Sequence, residues 1–186
     1  MSKRLVLASG SPRRKELLQQ LGYQFDILIP AVEEQRQPDE SPVHYVERLA
    51  REKALAVLAY AGDVVVLGSD TIVVCDKQVL EKPADFAAAK QMLQQLSGRS
   101  HQVMTSVCIA TPQVQKTVLV TTQVWFKCLS EQEIEQYWQS GEPCDKAGSY
   151  GIQGLGGRFV TRIEGSYHAV VGLPLYETDQ LLQEFL

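Results

Sequence analysis

Ser9-Gly10-Ser11-Pro12-Arg13-Arg14 sets two hydroxyls beside two guanidinium groups in one short segment. Ser11-Pro12 is a helix-opening pair: serine caps the N–H groups of a first turn, and proline suits the first helical position. Those N–H groups carry partial positive charge, so acidic side chains are favoured there. This chain places Arg13, Arg14 and Lys15 in that turn instead. With a phosphate bound, N–H groups, hydroxyls and guanidinium groups all face one charge; without it, the segment is a solvated basic helix start. Asp70 follows the run Val64-Val65-Val66-Leu67-Gly68-Ser69 and is expected at the end of a buried strand. Carboxylates at that edge hold ligands and metals in α/β enzymes, although Gly-Ser-Asp is also a common turn. Glu33-Glu34 pairs two acids in a polar stretch, suited to a divalent cation or to a solvated acidic patch.

Lys82 precedes Pro83, which biases it toward extended backbone from which its ammonium can reach a phosphate or simply face water. Lys53 lies next to Ala54 on a helical apolar face; exposure is its default, the rim of a cleft the alternative. The segment Asp145-Lys146-Ala147-Gly148-Ser149-Tyr150-Gly151-Ile152-Gln153-Gly154 is glycine-rich, which permits close backbone approach to a ligand. Tyr150 there can stack on a base, and Gln153 carries both a donor and an acceptor for a base edge. His44, His101 and His168 have no metal-ligand spacing, and neither a phosphate-binding P-loop nor a G-x-S-x-G nucleophile elbow occurs.

The elements that must position these groups follow from pattern. Arg4 to Ala8 reads as a strand, Ser11-Pro12 to Leu21 as a helix stopped by Gly22, and Phe25 to Ile29 as a second strand. After a polar loop at residues 30–40, Ser41-Pro42 opens a helix with Val43, Val46, Leu49, Ala50, Ala54, Val57 and Leu58 on one face. Val64 to Leu67 is a buried strand, Ile72 to Cys75 a further one, and Asp76-Lys77 a turn before Val79-Leu80. Asp85 caps a helix to Leu96; His101 to Ala110 and Thr117 to Leu129 form a hairpin. Ser130-x-x-Glu133 is a capping box for a helix to Trp138, Arg158 to Ile163 a strand, and Pro174 to Phe185 a last helix. Early alternation with a central hairpin predicts an α/β fold with a mixed sheet.

The 186 residues fit one domain or two closely joined lobes, with ample core. A net charge of −4 argues against non-specific nucleic-acid binding and predicts no stable nucleic-acid partner, while leaving room for a local cationic cleft. Cys75, Cys108, Cys128 and Cys144 form no C-x-x-C pair. With no signal peptide or apolar run long enough for a membrane span, reduced thiols in a cytoplasmic, membrane-free protein are expected.

Taken in order, Leu7-Ala8-Ser9-Gly10-Ser11-Pro12-Arg13-Arg14, Gly68-Ser69-Asp70-Thr71, Glu81-Lys82-Pro83, Leu96-Ser97-Gly98, the segment 145–154, Gly165-Ser166-Tyr167 and Val171-Gly172-Leu173-Pro174 resemble the motifs of the Maf family. The resemblance spans nearly the whole chain, as a single domain over residues 1–186. It implies the inosine-triphosphatase-like fold: an elongated mixed sheet with helices, and two lobes around a central cleft. It also implies hydrolysis of a nucleoside triphosphate between the α- and β-phosphates with a divalent cation, Mg²⁺ or Mn²⁺. Asp70 corresponds to the family's acidic base. Its metal and phosphate groups fall on Glu33 or Glu34, Asp70, Ser9, Ser11, Arg14, Lys53 and Lys82.

Arg13, Thr71 and Gln153 match the branch acting on dTTP and UTP. The carboxamide of Gln153 can pair with the O4 and N3–H edge of uracil or thymine, where a carboxylate could only accept. A sister branch acting on 7-methyl-GTP has other residues at these positions. The family is also associated with house-cleaning of non-canonical nucleotides and with arrest of cell division and septum formation, so a non-catalytic regulator is the rival from another class. A homodimer is implied only by analogy.

Overall fold

The computed structural model describes residues 3–186. The strands are β1 (Leu5–Ala8), β2 (Phe25–Ile27), β3 (Val65–Cys75), β4 (Gln78–Leu80), β5 (Ser100–Ala110), β6 (Gln115–Phe126) and β7 (Val160–Glu164). The helices are α1 (Pro12–Gln20), α2 (Pro42–Ala61), α3 (Phe86–Leu96), α4 (Glu131–Gln139), α5 (Tyr167–Val171) and α6 (Leu175–Phe185). One sheet runs in the order β2-β1-β3-β5-β6-β7, with β4 paired to β3. β1 pairs parallel to β2 and β3, whereas β3–β4 and β6–β7 are antiparallel, so the sheet is mixed as expected.

The caps explain why the helices begin where they do. Ser11, Ser41, Asp85 and Ser130 each accept a first-turn N–H, and Ser130 with Glu133 completes the capping box. Two expectations need correction. β3 is one eleven-residue strand, not two strands broken at Gly68-Ser69-Asp70-Thr71, because the β-branched run continues through Ile72-Val73-Val74. Asp70 therefore lies mid-strand rather than at a strand end. The short helix α5 was not legible, having too few residues to show a period.

The chain forms two compact units. The first contains residues up to Asp70 together with Thr105–Val120 and Gly172–Leu186; the second contains Thr71–Met104 and Thr121–Val171. In the first, Val6, Ala8 and Val66 from the sheet, with Val64 just before β3, pack on Ala50, Ala54 and Val57 of α2. In the second, Val73, Leu80, Val124 and Phe126 pack with Leu93, Leu96, Ile134, Tyr137, Tyr150 and Phe159. Cys75 and Cys108 are buried, Cys128 and Cys144 exposed, and all four are free thiols. Among the described residues no helix is long and apolar enough to cross a membrane.

Candidate active site

Val66, Gly68 and Asp70 project from one face of β3, since strand side chains alternate. That face receives α2, and it does so at Gly68. A Cβ there would collide with the Ala50 carbonyl oxygen and lie 2.6 Å from the Ala54 nitrogen. Only glycine lets the helix backbone settle this low on the strand. The consequence is local: Lys53, in the next turn of α2, reaches Asp70.

Its Nζ lies 2.6 Å from Asp70 Oδ1 and 2.8 Å from Glu34 Oε1. Lys53 is 6% exposed and Asp70 5%, so the expectation of an exposed lysine is overturned. A buried ammonium is tolerated because two carboxylates share it. Burial pushes the Asp70 carboxyl up from its ordinary range; Lys53 and Arg14 pull it back, and Glu34 adds to the rise. Burial likewise lowers Arg14, against the attraction of Asp70.

Arg14 belongs to the same cluster through the start of α1. The Ser11 hydroxyl accepts from the Arg14 backbone N–H, and the Ser9 hydroxyl, itself buried, accepts from the Ser11 N–H at 3.1 Å. Arg14 Nε donates to the Gly172 carbonyl at 2.8 Å, which also accepts from the Ser69 hydroxyl at 3.2 Å. Gly172 belongs to a family pattern, but its role in aiming Arg14 has no signal in spacing. The first turn of α1 contains no acid, so its N–H groups face no carboxylate of their own turn, an arrangement that suits an anion.

The polar loop at residues 31–41 is held against α2. Tyr45 donates to the Glu34 carbonyl at 3.4 Å. Arg48 donates to the Gln35 carbonyl at 2.9 Å and forks onto both Glu40 oxygens at 2.6 and 2.9 Å. Arg48 also raises the acidity of Glu40, which falls to about 2 through that hydrogen bond, with burial opposing. The stripe Tyr45, Arg48, Glu52 at three- and four-residue spacing, with Lys53 beside it, could have revealed this face. Glu34, rather than Glu33, joins Lys53. Glu33 instead lines an open polar hollow of about 870 Å³ with Gln35, Arg36, Asp39, Arg48 and Glu52.

The donor set bears on a metal. Glu34 and Asp70 are hard oxygen donors already drawn to one cation, the Lys53 ammonium. Among the described residues no three His, Cys, Asp or Glu side chains form a preformed cage. Two carboxylates completed by phosphate oxygens and water suit Mg²⁺, which keeps waters and shares its shell with substrate. The residues fit such an ion.

The remaining candidates lie in the second unit. Lys82 is exposed, between β4 and α3, and the carbonyl of Glu81 before it accepts from Gly148 N at 3.3 Å. Thr71 is half-buried on β3 and projects opposite to Asp70; Gln153 is exposed. Tyr150 does not present a stacking face. It is 6% exposed, packs edge-on to Phe126 and meets His101 Nε2 at 2.7 Å through its hydroxyl. His101 is buried, which lowers it to about 4, and its Nδ1 has no partner among the described residues. The close backbone approach predicted for the glycines is taken up internally: a Cβ on Gly156 would lie 2.5 Å from the Tyr137 hydroxyl.

The family model described as Maf-like protein matches residues 4–185. A Vibrio cholerae protein named dTTP/UTP pyrophosphatase is 72% identical over 183 residues, 98% of each chain. A Vibrio parahaemolyticus protein of the same name is also 72% identical, over 98% of this chain and 97% of its own. A Shigella sonnei protein of that name is 59% identical over 97% of this chain and 92% of its own. With the family model matched from Arg4 to Phe185, this chain belongs to the Maf-like protein family.

Proposed function

We propose that this chain hydrolyses dTTP and UTP between the α- and β-phosphates, giving the nucleoside monophosphate and pyrophosphate. The observation that carries the reading is the buried Lys53–Asp70 pair, which the exposed Glu34 joins through the Lys53 ammonium, beside the basic start of α1. The identity of the base is supported by the relatives' shared name and by Arg13, Thr71 and Gln153.

Each residue has a task in this scheme. The first-turn N–H groups of α1 and the Arg14 guanidinium orient one phosphoryl group, with Ser9 and Ser11 fixing the turn. Lys53 holds Asp70 and Glu34 in register. Asp70, with its proton affinity raised by burial, accepts the proton of a water that adds to one phosphorus of the α–β bridge. The bridging oxygen leaves with the departing group, so water's atoms end divided between monophosphate and pyrophosphate. A divalent cation held by Glu34 and Asp70 would supply neutralisation of the phosphate oxygens. Lys82 binds the phosphate tail, and Arg13, Thr71 and Gln153 select the base; these assignments rest on the resemblance.

Pyrophosphate release from dTTP, UTP, GTP and 7-methyl-GTP, with Mg²⁺ or Mn²⁺ and with a chelator, tests the scheme. Turnover of dTTP and UTP that stops with chelator is expected. Preferred turnover of 7-methyl-GTP would overturn the base assignment, and no pyrophosphate from any nucleotide would overturn the activity.

A further inference from the structure

The segment Gly151 to Gly156 lacks regular α or β structure until the short 3₁₀ turn at Leu155–Phe159, yet its backbone is tied on both sides of Gln153. On one side, Gly151 N donates to the Tyr137 hydroxyl at 3.1 Å. That hydroxyl donates in turn to Glu142 Oε1 at 2.7 Å. On the other side, Leu155 N donates to Glu142 Oε2 at 2.8 Å and Gly156 N to Glu142 Oε1 at 3.0 Å. One carboxylate therefore gathers both ends of a short loop whose middle residue is exposed.

The glycines of this loop are shaped around that carboxylate. A Cβ on Gly154 would collide with Glu142 Oε2 and sit 2.6 Å from its Cδ. Tyr137 is buried and packs edge-on to Phe159 at 4.9 Å, so the hydroxyl is rigidly based. Lys146 adds a tie from its ammonium to the Glu142 carbonyl at 2.8 Å. Burial opposes ionisation of Glu142, but bonds from Gly156, Tyr137 and Leu155 prevail and hold its carboxyl below the ordinary range.

We propose that Glu142, acting with Tyr137, is a positioning residue for base selection: it fixes the loop on either side of Gln153 and so sets the angle at which the carboxamide meets the base. This rests on the reading above in which Gln153 selects uracil or thymine. A hydrogen-bonding side chain on an untethered loop would adapt to several bases; one on a clamped loop discriminates. The clamp needs an acceptor at both Glu142 oxygens. A glutamine there turns one acceptor into a donor facing an N–H or the tyrosine hydroxyl, whichever way its amide is flipped.

The test is the ratio of kcat/KM for UTP to that for GTP, in which any damage common to triphosphate binding cancels. It is measured for wild type, Glu142→Gln, Tyr137→Phe, Gln153→Ala and the double variant Glu142→Gln/Gln153→Ala. Glu142→Gln and Tyr137→Phe are expected to lower the ratio roughly ten- to a hundred-fold, the scale of a misplaced contact. In the Gln153→Ala background, Glu142→Gln is expected to lower it no further, because the route runs through Gln153. Tyr137→Phe keeps the ring packing and carries the test should Glu142→Gln fail to fold. A single variant that keeps the wild-type ratio, or effects that simply multiply in the double variant, overturns the clamp. A wild type that releases no pyrophosphate overturns the activity instead, and a Gln153→Ala ratio equal to wild type overturns the role of Gln153.

Discussion

Asp70 and Glu142 are two carboxylates drawn out of bulk water, and they are stabilised in opposite ways. Glu142 is met by three neutral donors, two of them backbone N–H groups, which favour its charge without adding any. Asp70 is met by a full cation that it shares with Glu34, inside a cluster that also includes Arg14. Dipoles spent on Glu142 leave it acidic and structurally committed. In the proposed scheme the formal charges around Asp70 change partners: a phosphate takes Arg14, and a divalent ion takes the carboxylates. Within that proposed scheme the contrast separates the carboxylate that does chemistry from the one that supports its loop. The one whose burial raises its proton affinity can accept a proton; the one held below its ordinary range supports its loop.

The sharpest break of that contrast is to neutralise each acid in turn. Asp70→Asn is expected to cut kcat for UTP by about 10³-fold, within the range for a lost general base. Its circular dichroism should stay unchanged, because the amide oxygen still accepts from Lys53 and Glu34 still shares the ammonium. Near-normal pyrophosphate release would remove Asp70 from its role. Next in size is Gly68→Ala, which pushes α2 off β3 at the Ala50 carbonyl. Overpacking against backbone has no side chain to yield, so a loss of about 3 kcal/mol in denaturant unfolding is expected. An unchanged unfolding midpoint would show that Lys53 reaches Asp70 without that close approach.

The same contrast explains what could be read in advance. The start of α1 was legible because Ser11-Pro12 and Gly22 punctuate it locally, and the hairpin because both strands are long. Gly68-Ser69-Asp70 resembles a turn and so points to a strand end at Asp70; the sheet overrides that preference by pairing through it. Lys53 was expected in water because its burial depends on Gly68 and on carboxylates from two other segments. Tyr150 reads locally as a stacking residue because its partners, His101 and Phe126, come from distant strands. Choosing Glu34 over Glu33 as the neighbour of Lys53 needed the loop's path along α2. Capping and strand patterns are written in adjacent residues; charge partnerships are not.

His101 sharpens the second unit's side of the comparison. It is buried and held down to about 4 by burial, so its native form is neutral. The unfolded chain binds a proton at this histidine near pH 6.5, where the native state does not. Stability from His101 is therefore complete above about 6.5 and is lost as pH falls through about 4, by up to ~3 kcal/mol. Subtracting the pH–stability curve of His101→Gln from that of wild type isolates the term. A difference that stays flat between pH 6.5 and 4 would mean that His101 is not neutral by necessity, and that the second unit, too, can hold a buried charge.

The smallest effect is expected where the first unit borrows the second unit's device of fixing a loop by hydrogen bonds. Arg48 forks onto Glu40 and ties the Gln35 carbonyl, one residue from Glu34. Lysine keeps the charge but has no planar fork, so Arg48→Lys loses the two-point geometry. The loop would then hold Glu34 less firmly, while Asp70, Lys53 and Arg14 stay where β3, α2 and α1 put them. The expected result is a KM for UTP raised about threefold to tenfold, the worth of ~1 kcal/mol of hydrogen bonding, with kcat within about twofold. Isothermal titration of Mn²⁺ into the same variant should show a parallel weakening, since in the proposed scheme Glu34 is the ligand that the loop carries. If kcat falls instead and KM and Mn²⁺ binding hold, Arg48 acts on the reacting groups and not on the loop, and the division between a charged centre and a hydrogen-bonded frame fails within the first unit itself.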